Sequence, residues 1–234
     1  MEKTEELRLN HKLILELFDK FNMLLSDNNI DHYYTSGILP YVLTGHSLVR
    51  YHHDLDVFIN MDDLERLENI CEDYNFIFRR QLGDRDDGTE RRTLKTYYKG
   101  LDIPITLFMF VREKDGSITQ KDYYFTENGE LFVEDIFNSK KCAELSFSEE
   151  MYYHNNIPYK SISIEALYLS KISMNRPKDI EDCKIMKEYV NFDKLNTLIE
   201  EYKMNKENES YKVINSGEIN FILDFNKQKI MERV

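Results

Sequence analysis

The chain has 234 residues, 41% of them hydrophobic and including 16 Tyr and 14 Phe, which excludes a disordered tail and is enough for a sizeable core. With only 8 Gly and 4 Pro, long flexible linkers are not expected. The 43 Asp and Glu outnumber the 31 Lys and Arg, for a net charge of -12; this excludes a broad nonspecific grip on nucleic acid, leaves room for a local basic groove, and suits a small cationic substrate.

The first residues, "MEKTEELRLNHKLILELF", are too charged for a signal peptide, and no apolar run reaches about 18 residues, so a soluble cytoplasmic protein without membrane contact is expected. Residues 5–27 read as a helix on the spacing of Leu7, Leu13, Leu17, Phe18, Phe21 and Leu24, and "SDNN" ends it. "DHYYTSG" reads as a short strand entering a turn. "GILPYVLTG" reads as a short helix opened by Gly37, with Pro40 in its first turn and Gly45 at its end.

"DLDVFIN" is a predicted strand, and "MDDLERLENICEDYN" a helix with acids near its start, as the helix dipole prefers. Strands follow over 75–82, 92–99 and 101–111, the first two joined by the charged loop "GDRDDGTERR". Residues 118–160 are expected to add short strands. From Ser163 the pattern turns helical: "ISIEALYLSKISM", "PKDIEDCKIMKEYV" and "FDKLNTLIEEYKMNK" are three helices, and 217–232 a last one. The layout is a helix and an α/β core over 1–160, then a helical part over 161–234. Cys71, Cys142 and Cys183 are odd in number and form no CxxC, which points to buried thiols in a reducing compartment.

The chemistry concentrates in "RYHHDLDVFIN". Strand side chains alternate, so Asp54 and Asp56 share one face with Phe58 and Asn60, while Leu55, Val57 and Ile59 turn inward. Two ionised carboxylates this close repel, and a divalent cation removes that cost. Mg²⁺ takes oxygen ligands and is usually held by one or two carboxylates plus substrate phosphates, so the pair suits a metal carrying a nucleoside triphosphate. Two surface acids at a strand end are the plainer reading. Upstream, the Ser36-Gly37 turn opens a helix and offers backbone N–H groups to phosphate, and Arg50 is a candidate phosphate ligand. His52 and His53 are read as structural or solvent-facing more readily than as metal ligands.

Ser36-Gly37, Gly45 and Arg50-Tyr51-His52-His53-Asp54-Leu55-Asp56 together resemble the nucleotidyltransferase superfamily of the polymerase-β type. The wording is nearest to lincosamide and aminoglycoside nucleotidyltransferases, although Ser-Gly stands where Gly-Gly or Gly-Ser is usual. "SIEALYLSKISMNRPKDIEDCKIM", with Glu165, Lys171, Arg176, Lys178, Asp179 and Asp182, is similar to a segment of the abortive-infection type toxin nucleotidyltransferases. The resemblance implies an α+β fold, with a mixed β-sheet nucleotidyltransferase core, flanking helices and a helical C-terminal part. It implies Mg²⁺-dependent transfer of a nucleoside monophosphate from an NTP to an acceptor hydroxyl. Asp54 and Asp56 would hold Mg²⁺, Asp102 would be the third metal carboxylate or the general base, Ser36 and Gly37 would bind phosphate, and Arg50 and Lys171 would offset its charge. Asp179 and Asp182 read as fixing the helix junction. The implied acceptor is a small molecule such as an antibiotic. A tRNA or protein acceptor, served by Arg79, Arg80, Arg91, Arg92 and Lys95, and a nucleotide-binding relative without activity are the alternatives.

Overall fold

The computed structural model describes residues 2–35, 37–84, 90–125, 131–135, 140–174 and 176–207, with side chains over 4–35, 37–79, 94–120, 140–174 and 176–201. The expected last helix over 217–232 lies outside the described residues, as does Ser36. Helix α1 spans Glu2–Asp27, and its Ile14, Leu17, Phe18, Phe21, Leu24 and Leu25 are fully buried, one stripe at helical spacing. Strand β1, His32–Thr35, leads to α2, Leu39–Thr44, which carries Pro40 in its first turn and ends on Gly45 in the left-handed conformation (φ 72°). Strand β2 follows at Leu55–Asn60.

The helix expected after β2 is broken into a 3-10 turn at Met61–Asp63, α3 at Leu64–Ile70 and a second 3-10 turn at Cys71–Tyr74. Local polar bonds compete with a continuous helix here. Asn60 caps the amide of Asp62, Asp63 is spent on the amide of Asp31 at 2.7 Å, and Asn75 stops the segment at φ 63°. Strands β3 (Phe76–Asp84), β4 (Glu90–Tyr98) and β5 (Pro104–Arg112) complete the predicted core, and β6 (Ile118–Phe125) and β7 (Leu131–Asp135) extend it.

The seven strands form one mixed sheet in the order β1-β2-β5-β4-β3, with β6 and β7 branching from β5. Strands β2 and β5 are parallel and the other pairs antiparallel. The first half of β5 pairs with β4 and its second half with β6, so the sheet forks along one edge of β5. Leu55, Val57 and Ile59 are buried to 1%, 0% and 0% exposure, as their alternation predicts. The opposite face splits in two. Its far half, Phe58, Phe108, Phe110 and Tyr33, is packed under Phe147, whereas Asp54 and Asp56 at its near end are only half-buried.

Helix α4, Lys140–Ser146, was not anticipated among the expected short strands; it is seven residues long and gives too few turns for a period to show. A hairpin follows, β8 (Tyr152–His154) and β9 (Ile157–Tyr159), turned by Asn155 and Asn156 at φ 48° and 65°. The three helices expected after Ser163 are present as α5 (Ile164–Met174), α6 (Pro177–Met186) and α7 (Phe192–Glu207). The chain passes from the core to these helices along the sheet edge, where Tyr34 donates its amide to the Lys160 carbonyl and accepts from the Ile162 amide. All three cysteines are free and buried. Among the described residues no helix is long and apolar enough to cross a membrane.

Candidate active site

The segment from Arg50 to Asp54 has no regular secondary structure, and α1 fixes it. The Asn10 amide donates to the His52 carbonyl at 2.8 Å and its oxygen accepts from the His52 amide at 2.9 Å, both buried. His11 lies 2.8 Å from the Arg50 carbonyl. The segment thus enters β2 in one register, and Asp54 and Asp56 share the open half of the sheet face. Thr35 of β1 and Thr106 of β5 are the residues paired with Asp56 on either side.

Gly37 follows β1 at φ 34°, and a Cβ there would lie 3.6 Å from the Asp54 carbonyl oxygen. The turn and the aspartates are therefore adjacent. Arg50 joins them: its Nη2 donates to the Gly37 carbonyl at 3.3 Å and to Asp182 at 2.9 Å. The Arg50 side chain keeps 18% of its surface exposed.

His52 is buried, its ring edge against Tyr41 at 5.6 Å. Burial, with the Arg50 charge beside it, pushes His52 down to about 3, so it is a neutral packing residue. His53 is exposed against Tyr51. Neither histidine joins the carboxylate pair, in line with the structural reading of both.

Lys171 is displaced from its expected role. It is 2% exposed, with Nζ 2.9 Å from Asp182 and 3.4 Å from Asp179, both themselves fully buried. An ammonium satisfied this way inside the protein does not face a triphosphate. It balances two buried carboxylates, a requirement of burial that outranks the sequence resemblance. Asp182 also accepts from the Tyr41 hydroxyl at 3.1 Å, so α2, α5, α6 and the segment before β2 meet on one carboxylate. Burial pushes the Asp179 carboxyl up, but the Arg176 hydrogen bond and the Lys171 charge outweigh it and hold it below the usual range. At the start of α6 the Asp179 carboxylate accepts from the Arg176 backbone amide at 3.3 Å, and from its guanidinium as well. Arg176 keeps 47% of its side chain exposed; the hydrogen bonds it donates to Asp179 raise its pKa, and the Asp54 charge acts in the same direction.

Asp102 is exposed, two residues ahead of the first residue of β5. It stands at the same end of the sheet as Asp54, because β2 and β5 run parallel. Among the described residues no three His, Cys, Asp or Glu side chains group as a metal site. The β5 residue in register with Asp56 is Thr106. Sequence reasoning passed over Thr106 and Asn10, and named Arg176 only within the second resembling segment. The phase of "IPITLFMF" against "LDVFIN" is the only signal that could have found the first, and the strand pairing was needed to use it.

No protein-family model matches the sequence, and no curated protein does either. Solved structures do match. The antibiotic-resistance factor ANT(2'')-Ia in solution aligns with TM-score 0.56 at 14% identity, over 84% of this chain and 95% of that one. The lincosamide antibiotic adenylyltransferase LnuA with lincomycin bound aligns with TM-score 0.50 at 20% identity, over 75% and 96%. ANT(2'')-Ia in complex with adenylyl-2''-tobramycin aligns with TM-score 0.53 at 14% identity, over 80% and 94%. The chain shares its fold with these solved structures. The resemblance drawn from "RYHHDLD" and the α+β class agree with it.

Proposed function

We propose that the protein is a Mg²⁺-dependent nucleotidyltransferase that moves a nucleoside monophosphate from an NTP to a hydroxyl of a small-molecule acceptor. The observation that carries this is the placement of Asp54 and Asp56 on the open half of a sheet face, beside Gly37 and Arg50, in this fold. The solved proteins of like fold include enzymes that adenylylate antibiotics, which supports the reaction class and a small acceptor.

Two carboxylates suit a cation that arrives with its nucleotide, since Mg²⁺ takes its remaining ligands from phosphates and water. Bound there, it would neutralise charge on the transferred phosphoryl group and the departing pyrophosphate. Asp54 and Asp56 would hold it. Gly37 and the exposed part of Arg50 lie on the β1 side and would bind the phosphates together with Ser36, and Arg176 adds an exposed cation near Asp54. Lys171 would act behind them, pairing with Asp182, the carboxylate that also holds Arg50. The acceptor oxygen would displace pyrophosphate at the α-phosphorus, and its proton would pass to Asp102, the exposed acid at this end of the sheet.

The test is Asp56→Asn. The variant should keep the melting temperature of the parent and lose Mg²⁺-dependent pyrophosphate release from NTP. Undiminished release would remove the assignment.

A further inference from the structure

The strand register lays one row of side chains across five strands. Thr35 of β1 pairs with Asp56 of β2, Asp56 with Thr106 of β5, Thr106 with Lys95 of β4, and Lys95 with Arg79 of β3. Residues paired across strands point to the same face of a sheet, so all five project on the side of the aspartates. None is buried; four are half-buried and Arg79 is exposed. The row is asymmetric about Asp56. Toward β1 lie the Gly37 turn and Arg50. Toward β3 lie a hydroxyl and two cations. Strands are about 4.8 Å apart, which puts Lys95 about 10 Å and Arg79 about 14 Å from Asp56 along the row.

Arg79 lies over the Tyr97 ring, 4.9 Å from its centroid, and among the described residues no acid forms an ion pair with Arg79 or Lys95. In a chain of net charge -12, two cations in line with the aspartates, with no acid partner among the described residues, are an exception to the general field. They sit on the side that the phosphate-binding elements leave to the acceptor. A polycation there would meet like charge; an anion would meet two donors and the Thr106 hydroxyl.

We infer that the β5-β4-β3 side of the site, through Thr106, Lys95 and Arg79, is a phosphate subsite for the acceptor, so that the acceptor is a hydroxyl compound bearing a phosphate about 10–14 Å from Asp56. This rests on the nucleotidyl-transfer reading and reverses the expectation of a cationic acceptor drawn from net charge. The chemistry is met by a free nucleoside phosphate or sugar phosphate, and equally by the end of an RNA with its last phosphodiester. The remaining basic residues singled out in the sequence, Arg80, Arg91 and Arg92, have side chains outside those described.

The test measures binding to the full chain, with Mg²⁺ and a non-hydrolysable ATP analogue present. The probes are a fluorescent ribonucleoside 5'-phosphate, the same ribonucleoside without phosphate, a short RNA with a free 3'-hydroxyl, and tobramycin. The phosphate should tighten binding about tenfold, the size of one charge-assisted hydrogen bond or more. Lys95→Glu with Arg79→Glu should remove that gain, Lys95→Gln with Arg79→Gln should reduce it, and all should melt like the parent. Whichever of the mononucleotide and the RNA binds more tightly identifies the source. Equal binding with and without phosphate, an unchanged gain in the double variants, or tighter binding of tobramycin overturns the inference. A phosphate gain that depends on Lys95 and Arg79, in a protein that releases no pyrophosphate with any probe, supports the subsite and removes the transfer reading instead.

Discussion

Lys171 Nζ lies 2.9 Å from Asp182 Oδ2, inside the protein, with 2% and 0% of the two side chains exposed. The same carboxylate takes hydrogen bonds from Arg50 and Tyr41. One buried anion therefore joins the C-terminal helices to the segment that carries the aspartates. Asp182→Ala would leave Lys171 without its nearer partner and Arg50 without its anchor. We expect a loss of about 3–5 kcal/mol in urea unfolding, the usual cost of breaking a buried pair from one side. Adding Lys171→Met should recover part of it, because Asp179 keeps Arg176 as a partner. A double variant no more stable than Asp182→Ala would show that the pair is not coupled.

Asn10 holds the backbone of His52 through two buried hydrogen bonds. Asn10→Ala leaves that amide and carbonyl unmet, at a cost of about 1–3 kcal/mol. Because Asp54 follows two residues later, the half-saturating concentration of Mg²⁺-NTP should rise while some turnover remains. A stability loss with unchanged NTP dependence would confine Asn10 to folding.

Gly37 sits at φ 34°, and a Cβ there would make an ordinary contact with the Asp54 carbonyl, 3.6 Å away. Space is not what excludes a side chain; backbone conformation is. Gly37→Ala should cost about 1–2 kcal/mol through the positive φ, read as a lower melting temperature. It should also weaken NTP binding, since the turn would move to relieve the strain.

Two buried histidines set an acid limit. Burial, partly opposed by the hydrogen bond to the Ile30 carbonyl, lowers His32 from 6.5 to about 4. Burial and the Arg50 charge lower His52 from 6.5 to about 3. Below 6.5 the unfolded chain takes up protons that the folded chain refuses, so stability falls with acid: down to about 4 for His32 and about 3 for His52. Each contributes a slope of about 1.4 kcal/mol per pH unit inside its window and nothing above it. His52→Gln should flatten the stability profile between pH 6.5 and about 3 by one such slope. A profile with the parent's slope would mean that His52 is protonated in the fold.

The sequence by itself determined the aspartate pair and most of the elements, though not α4 or the breaks after β2. The α1 stripe, the alternation of "DLDVFIN" and the Pro40 and Gly45 limits of α2 are local patterns, and local sterics and burial enforce them. What it left open depends on partners far along the chain. Burial made Lys171 a counter-ion to Asp179 and Asp182 instead of a phosphate ligand, because an ammonium enclosed by packing must be neutralised where it lies. Strand register put Thr106 rather than Asp102 beside Asp56, and carried Lys95 and Arg79 into the same row from the strands expected over 92–99 and 75–82. A period of two says which face a residue takes; only pairing between strands says which residue stands next to it.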